Sequence, residues 1–319
     1  MSSSQPSVGV VVVTYRARTR IGRCLAPIMA SPLKPRVLVT NSSSRDGTVE
    51  IARTLGADAW VQPRCEFNHG LTRETARKLI ETDIVVMLCP DVVAQGDDFL
   101  EVLTRPIRDG EAAVAYARQG APRGADRIAR CAREFNYPAE SQLRGKEDRA
   151  RLGAYTHFCS NACAAWSNAA LDRIGGFKAT LVSEETIAAA ELLERGERIA
   201  YVAEAVATHG HPTRLLDSFR RQFDIGYSRE LFARVLLAHE ADEVRGRAYA
   251  RALLTRLARE APYLLPYALL DTAARLLGYR LGRLGPRLSD EIARKLSGQD
   301  FFWSSSARAQ VRGLEPAAA

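Results

Sequence analysis

The run Val8-Gly-Val-Val-Val-Val-Thr-Tyr15 decides the fold class. It holds five valines and no charge, and it does not alternate between apolar and polar residues. A strand that faces water on one side alternates; an unbroken β-branched run fits a strand buried on both faces, as in a parallel sheet. Working outward, the short runs at 36–39, 59–61 and 84–88 read as three more strands, and 19–30, a segment ended by Gly56, and 71–80 read as helices between them. Strand–helix alternation of this kind predicts an α/β domain with a doubly wound sheet. In such sheets ligands sit beyond the carboxyl ends of the strands. Thr14, Tyr15, Asn41 and Asp91 all fall just past strand ends, which makes them the first candidates for ligand contact.

The chain has 319 residues, 46% of them hydrophobic and 26% charged, with a net charge of +8. That allows one large α/β domain with an appendage or two modest domains, and it excludes a disordered chain. A basic balance suits phosphorylated ligands, anionic lipid or nucleic acid. No nucleic-acid motif accompanies it, so nucleic acid is not expected as a partner. The six cysteines contain no Cys-x-x-Cys pair and read as reduced thiols of a cytoplasmic protein. The opening MSSSQPSVG lacks the pattern of a secretory leader, and no stretch of about twenty apolar residues is found.

Further along, 112–117 reads as a strand, 118–157 as polar and loop-rich with a helix at 126–134, 168–174 as a short helix before a Gly175-Gly176-Phe177 turn, 185–195 as a helix ended by Gly196, and 198–202 as a strand leading into ATHGHP. From 213 the pattern is helical. Residues 245–295 carry eleven Lys/Arg against four Asp/Glu, with leucines such as Leu253, Leu257, Leu269 and Leu270 forming an apolar face. The expected division is a nucleotide-sugar-binding and catalytic domain over 1–212, a basic helical extension over 213–303 and a flexible tail over 304–319, the first of these assignments resting on the resemblance described next.

VVVTYR (11–16), SSSRDGTVEIA (42–52), FNHGLTRETA (67–76), LCPDV (88–92), ARQ (117–119) with FNYPAES (135–141), FCSNACAAW (158–166) with IGGF (174–177), SEET (183–186), AYVAEAVATHGH (200–211) and RRQFDIG (220–226) follow in a fixed order. The series resembles glycosyltransferase family 2, and within it the bacterial rhamnosyltransferase-like group, over residues 8–230. LGYRLGRLGP (277–286) and FFW (301–303) resemble the same group. The resemblance implies a GT-A fold (Rossmann-like, mostly parallel sheet with flanking helices) and an inverting transfer. It also implies a dTDP- or UDP-sugar donor (dTDP-rhamnose first), a divalent metal (Mg²⁺ or Mn²⁺), and a glycan or lipid-linked acceptor of surface polysaccharide.

Each site residue has a functional reading beside a plainer one. A departing diphosphate needs its charge offset, and Mg²⁺ is held by few carboxylates plus phosphates and water. Asp91 is the one acid kept in Cys89-Pro90-Asp91-Val92; the plainer reading is a turn residue. His209 and His211 are further metal candidates, and in an extended segment they point to opposite sides, so one of them faces the diphosphate. Inversion needs a carboxylate base. Glu185 matches the family position of the base, with Glu184 beside it; acids also favour helix N-termini through the macrodipole. Thr14, Tyr15, Asn41, Asn68 and Arg73 are expected at the nucleotide, Arg118 and Gln119 at the donor sugar, and Ser160 and Asn161 at sugar hydroxyls or in a buried polar turn. Arg221, with Arg220, is expected at the diphosphate or on a solvated helix face. Departures from the family pattern at Asn41, Glu74, Cys89-Pro90 and Glu185 keep a second reading open, a weakly active sugar-nucleotide- or glycan-binding scaffold. The basic helices read as a peripheral contact with an anionic membrane, at the inner face of the cell membrane, or as a packed appendage or dimer contact.

Overall fold

The computed structural model describes residues 5–210, 214–238 and 243–313. Among them, one sheet is built from β1 (Val8–Thr14), β2 (Arg36–Asn41), β3 (Asp58–Val61), β4 (Ile84–Leu88), β5 (Val92–Ala94), β6 (Val114–Gly120), β7 (Gln142–Arg144), β8 (Cys163–Ser167) and β9 (Ile199–His209). The helices are α1 (Arg18–Met29), α2 (Thr48–Thr54), α3 (His69–Ile80), α4 (Phe99–Arg108), α5 (Arg127–Asn136), α6 (Arg149–Leu152), α7 (Asn168–Arg173), α8 (Glu184–Glu194), α9 (Leu215–Leu231), α10 (Ala233–Leu236), α11 (Glu243–Glu260), α12 (Leu265–Leu284), α13 (Asp290–Leu296) and α14 (Ser306–Arg312).

The strand order is β3-β2-β1-β4-β8-β6-β9-β5, with β7 also on β9. The four strands β3, β2, β1 and β4 are parallel, and β1 and β4, in the middle of the sheet, are buried on both faces. Val10 and Val12 point into a core with Ile21, Leu25 and Leu103. Val11, Val85 and Met87 point the other way, into one with Ile80, Trp166 and Leu192. The sheet is mixed: β6 and β9 are also parallel to each other, and the antiparallel pairs are confined to β8, β5 and β7. β8 runs antiparallel to both β4 and β6, and β5 and β7 run antiparallel to β9. The reason lies in chain path: β6 ends at the carboxyl edge and β8 re-enters at that same edge, where Cys163 pairs with Leu88.

β9 is longer than the strand expected at 198–202. Its register against β6 jumps from Val202 to Val206 between Ala117 and Arg118. A bulge of this kind bends and twists a strand. The second half of β9 thereby reaches β5, with His209 directly opposite Val92.

The C-terminal helices α9 and α12 pack on each other through glycine contacts. α9 and α12 pack so closely that a Cβ on Gly278 would lie 2.3 Å from the Phe219 carbonyl oxygen, and one on Gly282 2.2 Å from that of Phe223. Gly282→Val is expected to lower stability by about 3 kcal/mol through forced separation of the two helices. Thermal melting checks this, and an unchanged midpoint would show that the helices can part freely. Residues 304–313 depart from the expected flexible tail. α14 seats Ala307 and Val311 beside Phe302, Trp303 and Tyr227, and Arg308 pairs with Asp290 at 2.6 Å. An apolar residue every fourth position was enough to pin so short a helix; residues 314–319 and His211 lie outside the described residues.

Candidate active site

Cys89-Pro90-Asp91-Val92 is a tight turn closed by the Val92 N–H donating to the Cys89 carbonyl at 3.1 Å. Pro90 occupies the second position, where its fixed φ fits and no N–H is needed. Asp91 follows, at the carboxyl edge of the sheet. Its Oδ2 lies 3.4 Å from His209 Nε2. His209 Nδ1 is 2.7 Å from Gln119 Oε1, and the same oxygen accepts from Arg133 Nη1 at 2.6 Å. An amide oxygen only accepts, so Nδ1 carries a proton, and Nε2 is the ring atom turned toward the Asp91 carboxylate, where the neutral ring can ligate a cation. Two lone-pair donors converging at this distance suit one shared cation, since ligands of a small divalent ion lie about 3 Å apart. Among the described residues no cluster of three or more His, Cys, Asp or Glu could hold a metal.

The second group of acids opens α8. Ser183, the residue before it, has φ of 70°, a left-handed conformation unusual for serine. Glu184 is buried, 3.0 Å from Arg73 Nη1, and accepts from Asn161 Nδ2 at 3.1 Å. Burial pushes Glu184 up, but Arg73, His69 and Asn161 outweigh it and hold the carboxyl below its ordinary value. Glu185 behaves oppositely: burial first, then the Glu184 charge, push it up to about 8. One acid is thus held ionised as a structural partner and its neighbour is left with a proton near neutral pH, the division of roles expected where one carboxyl must exchange a proton. The two groups of acids are close. The Cys89 thiol, pushed up to about 11 first by burial, is also raised by Asp91, Glu184 and Glu185 and lowered by Arg73.

Several residues expected at the ligand are engaged within the protein. Arg73 does not reach toward solvent; its guanidinium is buried against Glu184 and the His69 carbonyl. Asn68 caps α3, accepting from the Gly70 and Leu71 N–H groups, while its amide donates to the Thr180 carbonyl at 2.8 Å. Gly70 does permit a close approach, but to protein: a Cβ there would lie 1.8 Å from the Lys178 carbonyl oxygen. Asn161 bridges Glu184 and Trp166 Nε1, the buried polar turn. Asn41 is buried with both ends engaged, on Thr14 Oγ1 and on Ser44, and Thr14 donates to the Thr40 carbonyl. Polar side chains at strand ends satisfy the loops they start before they meet any ligand. Glu74 pairs with Arg77 at 2.7 Å and accepts the Phe177 N–H at 3.0 Å, which ties α3 to the glycine turn.

Tyr15, Arg118, Ser160 and Glu185 belong to the same edge as the Asp91–His209 pair, and Gln119 is buried there with both ends of its amide engaged. Gln119 donates to Ser160 at 3.1 Å, and Arg118 is half-buried at the register shift. Arg221 is exposed on α9, and its charge lowers Glu185, His69 and Arg133. Two arginines were not anticipated. Arg133 on α5 holds Gln119 and lies within range of Asp91 and Arg221. Arg64 stacks on the Tyr15 ring with its guanidinium carbon 3.8 Å from the centroid and also faces Phe301 of the C-terminal segment. An Arg four residues before the quoted YPAES motif was the only signal for Arg133.

Arg73→Met is expected to destabilise by about 3–5 kcal/mol, since it leaves Glu184 buried without its partner. Chemical denaturation checks this; a loss below about 1 kcal/mol, the level of a surface pair, would show the ion pair is not structural.

The model of a family described as "Glycosyltransferase like family 2" matches residues 6–226. The O-antigen chain rhamnosyltransferase WbaN of Salmonella anatum is 32% identical over 304 residues, covering 94% of this chain and 96% of that protein. The O-antigen chain rhamnosyltransferase RfbN of Salmonella typhimurium is 29% identical over 302 residues, covering 93% and 96%. Among solved structures, the mannosyltransferase PcManGT of Pyrobaculum calidifontis, in complex with GDP-Man and Mn²⁺, superposes with a TM-score of 0.57 at 20% identity, covering 97% of this chain and 88% of that one. TarS 1-349 of S. aureus gives 0.54 at 15% identity, covering 97% and 89%. Those two similarities establish a GT-A arrangement of sheet and helices. With the family match running from before β1 into α9, and relatives of this identity spanning nearly the whole length, the chain belongs to glycosyltransferase family 2 and is a glycosyltransferase.

Proposed function

We propose that this glycosyltransferase is an inverting rhamnosyltransferase that takes dTDP-rhamnose as donor and serves a glycan or lipid-linked acceptor in surface polysaccharide synthesis. The observation that carries the reading is the convergence of Asp91 Oδ2 and His209 Nε2 at 3.4 Å, with Gln119 behind the imidazole. The names of WbaN and RfbN support rhamnose. The Mn²⁺ and GDP-Man named for PcManGT support a divalent ion and a nucleotide-sugar donor.

In this reading Asp91 and His209 hold the ion, which when bound offsets the charge gathering on the departing diphosphate. Arg221 and Arg133 add fixed positive charge on the same side. Tyr15, stacked on Arg64, offers a flat surface to the base. Glu185 accepts the proton of the acceptor hydroxyl as its oxygen bonds to the sugar's anomeric carbon. The carbon–phosphate-oxygen bond breaks at the opposite face, and its electron pair leaves with the nucleoside diphosphate. Glu184, Asn161 and Arg73 hold the start of α8 so that Glu185 keeps its place.

The test is release of dTDP from dTDP-rhamnose by the purified protein with Mn²⁺ or Mg²⁺, against UDP-sugars. Metal-dependent release with dTDP-rhamnose preferred is expected. No calorimetric binding of any nucleotide sugar would overturn the reading, and binding without turnover would favour the scaffold.

A further inference from the structure

α12 spans 20 residues and is apolar on both sides. Its inward side is fixed: Gly278 and Gly282 lie against α9, and Ala268 and Tyr279 are buried. Its outward side has no packing partner among the described residues. Leu269 is 54% exposed, Leu270 61% and Leu277 55%; Tyr263, just before the helix, is 75% exposed, and Leu276 and Leu284 continue the leucine face at seven-residue spacing. A contiguous apolar face of this length marks an interaction surface.

We propose that this face docks on an anionic lipid bilayer, with the helix lying in the plane of the interface. Charge selects this occupant. The one acid of α12, Asp271, is buried and paired with Arg275 at 2.6 Å. The charged residue exposed on the helix is Arg280, and Arg287 is exposed in the turn after it. Arg280 shares Glu243 with Arg247, each at 3.8 Å, which leaves a cationic excess at the rim. The neighbouring α11 adds Arg251 and Arg259, both exposed. A second copy placed two-fold on this face would oppose arginine to arginine with no exposed carboxylate of α12 between them. A bilayer surface supplies anionic headgroups for the arginines, an apolar layer for the leucines, and the boundary where tyrosine rings settle. No described helix is long and apolar enough to cross a membrane, so the contact is one of lying on the surface. Because α12 is already folded against α9, docking needs no ordering of a disordered segment.

The experiment is co-sedimentation of the full chain with vesicles of phosphatidylglycerol and phosphatidylcholine, and with phosphatidylcholine alone, at low and high salt. Binding to the anionic vesicles, weakened by salt, is expected. Leu270→Glu with Leu277→Glu should reduce the partition coefficient by roughly 100-fold, since each change removes an inserted leucine and adds a repelled charge. Both side chains are exposed, and an unchanged melting temperature and circular dichroism spectrum confirm that the variant folds. Absence of binding to anionic vesicles, or equal binding by the double variant, would overturn the proposal. So would a dimer in sedimentation equilibrium that the same substitutions dissociate, which would assign the face to a second copy. None of these outcomes bears on donor binding, which is measured without lipid.

Discussion

Glu185→Gln is expected to lower kcat by about 10²–10⁴-fold, the range for loss of a general base, while nucleotide-sugar affinity stays unchanged. Glutamine keeps the size of the side chain and cannot take the proton. The pH profile makes the assignment specific. Glu185 is pushed up to about 8 by burial and by ionised Glu184, so in the free enzyme the base form is gained as pH rises. Without bound ligands kcat/KM should climb with pH and level off above about 8, and the variant should lose that limb. The sign for stability is opposite. Folded protein keeps this proton between the ordinary glutamate value of 4.5 and about 8, where the unfolded chain has lost it. Stability therefore falls as pH rises through that window. Glu185→Gln removes this penalty and should melt no lower than wild type at pH 8.5, whereas Arg73→Met melts lower. A group that raises activity at the expense of stability is the signature of a site residue. Parallel pH–rate profiles for wild type and variant would remove Glu185 from the chemistry.

The second large effect is at Asp91. With two protein ligands, Asp91 and His209, among the described residues, the donor-free protein should bind Mn²⁺ weakly, and tight binding should need the donor's phosphates to complete the coordination. Asp91→Ala removes the only carboxylate of the pair. If the ion contributes about 4 kcal/mol to the charge on the leaving diphosphate, kcat/KM falls by about 10³-fold. Mn²⁺ titration followed by electron paramagnetic resonance, with and without dTDP-rhamnose, separates the contributions. Tight Mn²⁺ binding by the donor-free protein that Asp91→Ala abolishes would contradict a site completed by substrate.

In the half of the fold made of β1, β2, β3 and β4, the strands β1, β2 and β4 were legible because valine-rich runs are unambiguous where both faces are buried, and the partly exposed β3, Asp-Ala-Trp-Val, followed from the strand–helix alternation around it. The other half was not. β8 reads Cys-Ala-Ala-Trp-Ser, and the outer part of β9 alternates alanine with glutamate, valine and threonine, so neither has the β-branched density that distinguishes a strand from a helix. Their pairing is imposed by the sheet around them and by the bulge at Ala117/Arg118, which no local pattern encodes. At the site, position relative to strand ends brought out Asp91, and order of motifs brought out His209 and Glu185. Neither could separate a side chain aimed at a ligand from one that satisfies its own loop. Asn68, Arg73 and Asn161 have the chemistry of ligand contacts, and the structure engages each of them internally, with the buried Arg73 Nε left without a hydrogen bond. Arg133 was hidden for the converse reason: it sits on a helix in a polar stretch, and only packing against Gln119 gives it meaning.

The most direct test is a calorimetric titration of dTDP-rhamnose into wild type and Asp91→Ala, each in Mn²⁺ and in chelator. Tight binding is expected only for wild type in Mn²⁺, with the other three titrations weaker by a common factor. Equal affinity in all four would show that Asp91 and His209 do not form a metal-bridged donor site, and would contradict the central claim.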